Sequence, residues 1–196
     1  MNKIIAITGG IGSGKSTAIK IIEKLGYKSF SADKTYGELI LNEDFIKEIS
    51  SALNVSSITV NGKVALNKEE VSKKVFNDKN LLERLNSITH PRIMQKMLSD
   101  AKAQNGIVFC EVPLLYEGGF ENIFDHVFII KRNDKKRFES ASLRDGKTVE
   151  QIEEIAKNQF DYAKIQENAH TFIIENNGDE IALAEKLELA IKNIQK

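Results

Sequence analysis

The residues most able to do chemistry in this sequence stand together near its start, in Gly9-Gly10-Ile11-Gly12-Ser13-Gly14-Lys15-Ser16-Thr17. The order is G-x-x-x-x-G-K-S. Glycines let such a loop curl until its N–H groups converge on an anion at the positive end of a helix. Gly12, Ser13, Gly14, Lys15, Ser16 and Thr17 are therefore the expected phosphate cradle. Lys15 would reach the β- and γ-phosphates, and the Ser16 hydroxyl would be a ligand for Mg²⁺. The flanks fit this reading. Asn2–Thr8 is a short apolar run suited to a buried parallel strand. Beyond the loop, Ala18, Ile19, Ile21, Ile22 and Leu25 follow helical spacing, and Gly26 is placed to stop the helix. Average residue frequencies give such a match on the order of 0.01 times in a chain of this length. The prediction is a nucleoside triphosphate site.

A second set of candidates lies at predicted strand ends. Asp33 follows the strand Tyr27–Ser31, where a carboxylate orients an attacking hydroxyl and accepts its proton, or simply caps the helix from Lys34. Glu111 closes the apolar strand 106–111, where phosphate-loop enzymes keep an acid for Mg²⁺; with Val112-Pro113 following at once, a helix-capping or structural role is the alternative. Leu114-Leu115-Tyr116 beyond it form an apolar substrate wall or part of the core. The chain has five arginines against 23 lysines, and Arg132, Arg137 and Arg144 fall within thirteen residues. Arginine suits bidentate phosphate contacts, so 131–147 is either a lid that closes on the triphosphate or a solvated basic helix face. The histidines His90, His126 and His170 lack ligand spacing, and no zinc site is expected. His90-Pro91, at an expected helix junction, is placed for substrate contact or capping. Cys110 sits in an apolar run and is expected to be a buried, inert thiol.

These side chains need a scaffold. At 196 residues the chain is long enough to bury a proper core, and 41% apolar with 29% charged residues is ordinary for a globular protein. Its net charge is zero, 28 against 28, so no global field favours nucleic acid or an anionic membrane. No apolar stretch approaches 18 residues, and the sequence enters a core strand without a leader, so a cytoplasmic address is expected. Strands alternate with helices at both ends: Asn2–Thr8, Tyr27–Ser31, 106–111, His126–Ile130 and Thr171–Ile174. Helices are expected at 34–42 and 43–53, and helical periodicity dominates 67–104. Pro91 is read as the start of the last helix there, and Asn61-Gly62 as a turn. The closing helix from Asp179 carries Ile181, Leu183, Leu187, Leu189, Ala190 and Ile194. The expected class is α/β, a parallel sheet with helices on both faces and a helical insertion between its second and third strands. In such sheets ligands sit beyond the carboxyl ends of the strands.

The residues resemble those of the dephospho-coenzyme A kinase family. Thr8–Thr17, Ala32-Asp33, Leu85-Asn86 with His90-Pro91, Val112–Glu117 and Arg144-Asp145-Gly146 match in order, followed by Gln159, Lys164 and Asn176-Asn177-Gly178. The resemblance implies transfer of the γ-phosphoryl group of ATP, with Mg²⁺, to the ribose 3′-hydroxyl of dephospho-coenzyme A. It implies a nucleotide-binding core (1–32, 106–132, 168–196), a helical substrate-binding insertion (33–105) and a helical lid (133–167); the sequence does not reveal the oligomeric state, and a monomer is the favoured expectation. By position Asp33 resembles the catalytic carboxylate and Arg144 the lid arginine, while Asn176 and Gly178 would lie near the adenine. His90, Leu114 and Tyr116 would bind substrate. Ser31 stands where the family usually has a further acid. Arg137 and Ser140 stand where it usually has glutamine and arginine, so Arg137 or Arg132 is a candidate replacement. Two rival readings are a kinase for another small metabolite or nucleoside monophosphate, and a GTP-binding switch. The latter needs an N-K-x-D-like guanine reader, to which only Asn67-Lys68-Glu69-Glu70 comes near.

Overall fold

The computed structural model describes residues 2–195 and, of Asn77, the backbone alone. In chain order the elements are β1 (Lys3–Thr8), α1 (Lys15–Lys24), β2 (Lys28–Ser31), α2 (Ala32–Leu39), α3 (Glu43–Leu53), β3 (Ser57–Val60) and β4 (Lys63–Leu66). There follow α4 (Lys68–Asn77), α5 (Lys79–Lys102), β5 (Ile107–Glu111), β6 (His126–Lys131), α6 (Asp134–Asp145), α7 (Val149–Lys157), β7 (Thr171–Glu175) and α8 (Glu180–Gln195). One compact unit runs up to Phe30 and resumes at Ala101; the other is Ser31–Asp100. Helices α6 and α7, expected as a lid, belong to the first.

Five strands form one sheet in the order β2-β5-β1-β6-β7. β1 pairs in parallel with both β5 and β6, and β7 pairs in parallel with β6. This is the expected α/β class, a parallel sheet flanked by helices. Ile5, Ala6 and Ile7 are all fully buried, so both faces of β1 are covered, which is why the strand reads as a continuous apolar run. From β1 the chain leads towards β2 at one edge, whereas from its neighbour β6 it leads to β7 at the other, and the glycine loop leaves the carboxyl end of β1. Ligands of such sheets bind at this switch point.

On one face, Ile5, Ile7, Phe109 and Phe128 pack against Ile19, Ile22, Leu183, Leu187, Ile191 and Ile194 of α1 and α8. Gly26 ends α1 as expected, with φ +90, its N–H on Glu23 and the Tyr27 N–H on Ile22. That is a Schellman closure, which favours glycine. The buried stripe of α8 is Leu183, Leu187, Ala190, Ile191 and Ile194; Ile181 and Leu189, read as part of it, face solvent. Cys110 is fully buried, and burial pushes its thiol up to about 12, in keeping with an inert group.

In the second unit, Phe45, Ile46, Ile49 and Leu53 of α3 pack with Val55, Leu66 and Val71. Asn42 caps α3, its side chain accepting from the Phe45 N–H at 3.0 Å. β3 and β4 form an antiparallel hairpin whose two-residue loop is Asn61 (φ +51) and Gly62 (φ +76), the turn that sequence favours. Pro91 does not start a helix. It lies inside α5, where it removes one backbone donor at a cost of roughly 3 kcal/mol. Half-buried Leu85 and Ile88 before it and buried Met94 and Met97 after it are served by one continuous rod, and that packing overrides the proline.

At the start of β6, His126 stacks on His170 with ring centres 5.9 Å apart. Burial, then Lys3 and His170, hold the His126 pKa below its ordinary 6.5, against the weaker opposite pull of Asp125 and a backbone contact at Ala169. A base with a depressed folded pKa stabilises fully above its unfolded value and loses that contribution as pH falls through the folded one. Thermal unfolding temperature is therefore expected to drop as pH falls below about 6.5, with a shallower drop for His126→Phe. Parallel pH profiles of the two proteins would count against this assignment.

Candidate active site

Between β1 and α1 the backbone takes positive φ at Gly9 (+146), Gly12 (+73) and Gly14 (+98). Gly12 and Gly14 also need their lack of a side chain for space. A Cβ on Gly12 would lie 1.9 Å from the Arg137 carbonyl oxygen, and one on Gly14 would lie 2.2 Å from Asn176 Nδ2. Gly14 is the N-cap of α1 and supplies no side-chain acceptor, and the first turn carries no acid. The first N–H groups of that helix are thus presented to an outside anion, with the helix dipole in its favour. Lys15 Nζ donates to the carbonyls of Gly9 (2.7 Å) and Gly10 (3.2 Å), so its charge lies over the loop. Ser16 Oγ donates to Glu111 Oε1 at 3.0 Å, which unites the two residues expected to meet a metal. Thr17 is exposed in the first turn of α1.

Distant segments brace this loop. Asn176 Nδ2 donates to the Ser13 carbonyl at 2.8 Å, and its own N–H is bound to Lys131. Gln159 Oε1 accepts from the Ile11 N–H at 2.8 Å, while Arg137 Nη1 donates to the Ile11 carbonyl at 3.4 Å. Asp134 holds the Arg137 Nε at 2.7 Å. Beneath the loop, Thr8 Oγ1 and the Tyr162 hydroxyl share a buried hydrogen bond of 3.0 Å, and burial pushes the Tyr162 hydroxyl up to about 12. Glu117 Oε1 accepts from the Phe160 N–H, and the Phe160 ring stacks on Tyr116 at 4.8 Å. The residues after α7 are therefore tied both to the phosphate loop and to the segment after β5. None of these ties has a local signature, since Thr8 and Tyr162 are 154 positions apart.

Other expected residues fall as follows. Leu114 is exposed, Leu115 fully buried and Tyr116 half-buried, so of the three Leu115 belongs to the core. Asn176 grips the loop from the protein side, and Gly178 is exposed just beyond it. Arg144 sits in the last turn of α6, paired with Asp145 through two bonds of 2.6 and 2.8 Å. It is Arg137 that the fold brings to the loop. In the second unit, Asp33 lies in the first turn of α2, directly beyond β2; the N-cap is Ser31, so the capping reading of Asp33 does not hold. His90 is inside α5 and not at a junction, and burial lowers its pKa. Asn67, the start of the only guanine-reader-like string, is the N-cap of α4: its Oδ1 accepts from the Glu70 N–H and its Nδ2 donates to Glu70. That string is spent on capping.

A cavity of about 830 Å³ opens beside the loop. Gly10 and Ser13 line one part of it; Arg132, Arg137, Phe138, Phe160 and Asn177 line others. Arg144 is not among its lining residues.

Residues 3–181 match the family model described as Dephospho-CoA kinase. The chain belongs to the dephospho-CoA kinase family. A dephospho-CoA kinase of Fusobacterium nucleatum subsp. nucleatum is 32% identical over 187 residues, covering 94% of this chain and 95% of that one. The dephospho-CoA kinase of Moorella thermoacetica is 31% identical, covering 98% and 92%. Among solved structures, dephospho-CoA kinase from Campylobacter jejuni superposes with a TM-score of 0.68 at 28% identity, covering 99% and 98%. The protein TT1252 from Thermus thermophilus does so with a TM-score of 0.81 at 25% identity, covering 100% and 98%.

Proposed function

We propose that the loop Gly9–Thr17 grips the triphosphate of ATP and that the residues around it divide the labour of one phosphoryl transfer. The reaction is that of the dephospho-CoA kinase family: ATP and dephospho-coenzyme A give coenzyme A and ADP, in coenzyme A biosynthesis. The observation that carries the reading is Lys15, with its ammonium over a loop that runs into a helix end bearing no side-chain cap, next to the Ser16–Glu111 pair. Phosphoryl transfer needs positioning and charge neutralisation more than covalent help, and this arrangement offers both.

In this reading the ribose 3′-oxygen forms a bond to the γ-phosphorus as the bond to the β,γ-bridging oxygen breaks, and Asp33 takes the hydroxyl proton. Lys15 and the α1 amides neutralise the β- and γ-phosphates. Arg144 follows the charge that develops on the transferred group. The Ser16 hydroxyl and the Glu111 carboxylate are hard oxygen donors 3.0 Å apart, which suits Mg²⁺. When bound, Mg²⁺ would shield the phosphate oxygens from one another. Leu114 and Tyr116 wall the acceptor, His90 is a further acceptor-binding residue, and Asn176 and Gly178 border the adenine. A net charge of zero supports a small-molecule partner over nucleic acid or an anionic membrane, and among the described residues no helix is long and apolar enough to cross a membrane. We take the working form as a monomer in the cytoplasm, where a single buried cysteine is at ease.

The test is ADP release from MgATP with a panel of acceptors. Dephospho-coenzyme A should drive turnover and AMP should not. Phosphorylation of AMP without phosphorylation of dephospho-coenzyme A would overturn the assignment.

A further inference from the structure

Arg132 is the first residue beyond β6, and its side chain lines the cavity that begins at Gly10 and Ser13 of the phosphate loop. Its Nη1 donates to Ser140 Oγ at 2.9 Å, so α6 holds the guanidinium by one edge. Its Nε is buried and has no hydrogen-bond partner. Buried guanidinium donors nearly always have acceptors, so this one calls for an explanation. The phenyl ring of Phe138 lines the same cavity, and so do Lys131, Asn133 and Asn177.

Geometry limits what could lie there. A nucleotide whose phosphates sit on the loop must carry its ribose and base away from it. The cavity continues from the loop to Arg132 and is roomy enough for a purine nucleoside. A planar guanidinium and an aromatic ring are surfaces on which a flat heterocycle stacks well, and the guanidinium edge donates to ring nitrogens. Bare phosphate, in contrast, is already served by Lys15 and the amides of α1. We propose that Arg132, positioned by Ser140, is the platform for the purine base of the bound nucleotide and sets the affinity of this chain for ATP. The inference rests on the triphosphate reading of the loop and adds the base-binding residue to it. It also assigns separate work to neighbouring arginines. Arg137 is tied to Ile11 and Asp134, and Arg144 is tied to Asp145, while Arg132 lines the cavity with its Nη1 held by Ser140.

The test compares two probes that differ in having a base. ADP release is measured at saturating dephospho-coenzyme A while MgATP is varied, with magnesium tripolyphosphate as a competitor lacking base and ribose. For Arg132→Ala the KM for ATP should rise roughly 10-fold, within the range of lost base stacking, with kcat changed less than about 3-fold. The inhibition constant of tripolyphosphate should stay within about 2-fold of the parent value. Ser140→Ala, which keeps the guanidinium but removes its brace, should shift the KM for ATP in the same direction by about 3-fold. If Arg132→Ala does not fold, the Ser140→Ala shift and its unchanged tripolyphosphate constant carry the test. An unchanged KM for ATP in both variants would overturn the inference, as would an equal weakening of ATP and tripolyphosphate. Either result, with dephospho-coenzyme A still phosphorylated, leaves the function intact. A parent protein that does not phosphorylate dephospho-coenzyme A removes the function itself.

Discussion

Arg144→Ala is expected to lower turnover by roughly 10³-fold or more at saturating substrates, the effect of losing an arginine that meets charge only in the transition state. The structure gives this expectation a particular form. Arg144 is held by Asp145 through both Nε and Nη2, and the pair raises the guanidinium's pKa while holding the Asp145 carboxyl below the usual carboxylate range. Reaching the phosphates would require that half-exposed pair to open, since α6 currently offers the loop Arg137 instead. An interaction made only after such a motion appears in kcat and in kcat/KM together, with little change in KM. Steady-state kinetics of the variant against ATP measures both. A loss below tenfold would retire Arg144 from this role, and Arg137→Ala would then be the variant to carry the large defect.

Lys15→Ala should cost about 10²–10³-fold in kcat, the scale of removing one preorganised donor from developing charge. The Lys15 ammonium rests 2.7 Å from the Gly9 carbonyl, so only a short swing separates it from a phosphate on the α1 amides. Its replacement removes charge and the hydrogen bonds to the Gly9 and Gly10 carbonyls, while the glycine φ values and the close approach of Arg137 and Asn176 still shape the backbone. Thermal unfolding of the ligand-free variant should therefore fall only slightly below the parent, while the stabilisation by MgATP shrinks. A variant with near-parental turnover would contradict the role given to Lys15.

Much of this site was legible in the sequence because its signals are local. The glycine loop, the strand before it and the helix after it are contiguous, and each obeys its own spacing rule. The parallel sheet followed from apolar runs separated by helical periods. Glu111 was read as a metal acid from its place at a strand end, and the structure sets it beside Ser16. What escaped is long-range. No rule of spacing links Gln159 to the Ile11 N–H, Tyr162 to Thr8 or Asn176 to Ser13, because each bond is made by folding and not by periodicity. Pro91 misled for the opposite reason: a strong local breaker was outweighed by core packing along α5. Asp33 was weighed as a cap, yet the N-cap is Ser31, two residues earlier, which frees the carboxylate from that duty.

The most direct test of the central claim follows the phosphorus atom. The protein is incubated with γ-labelled ATP, Mg²⁺ and dephospho-coenzyme A, and the product is examined for the site of the label. The account predicts label on the ribose 3′-oxygen, one per ADP formed, and none when the acceptor lacks a free 3′-hydroxyl. Label released as free phosphate at the same rate with or without acceptor would contradict it.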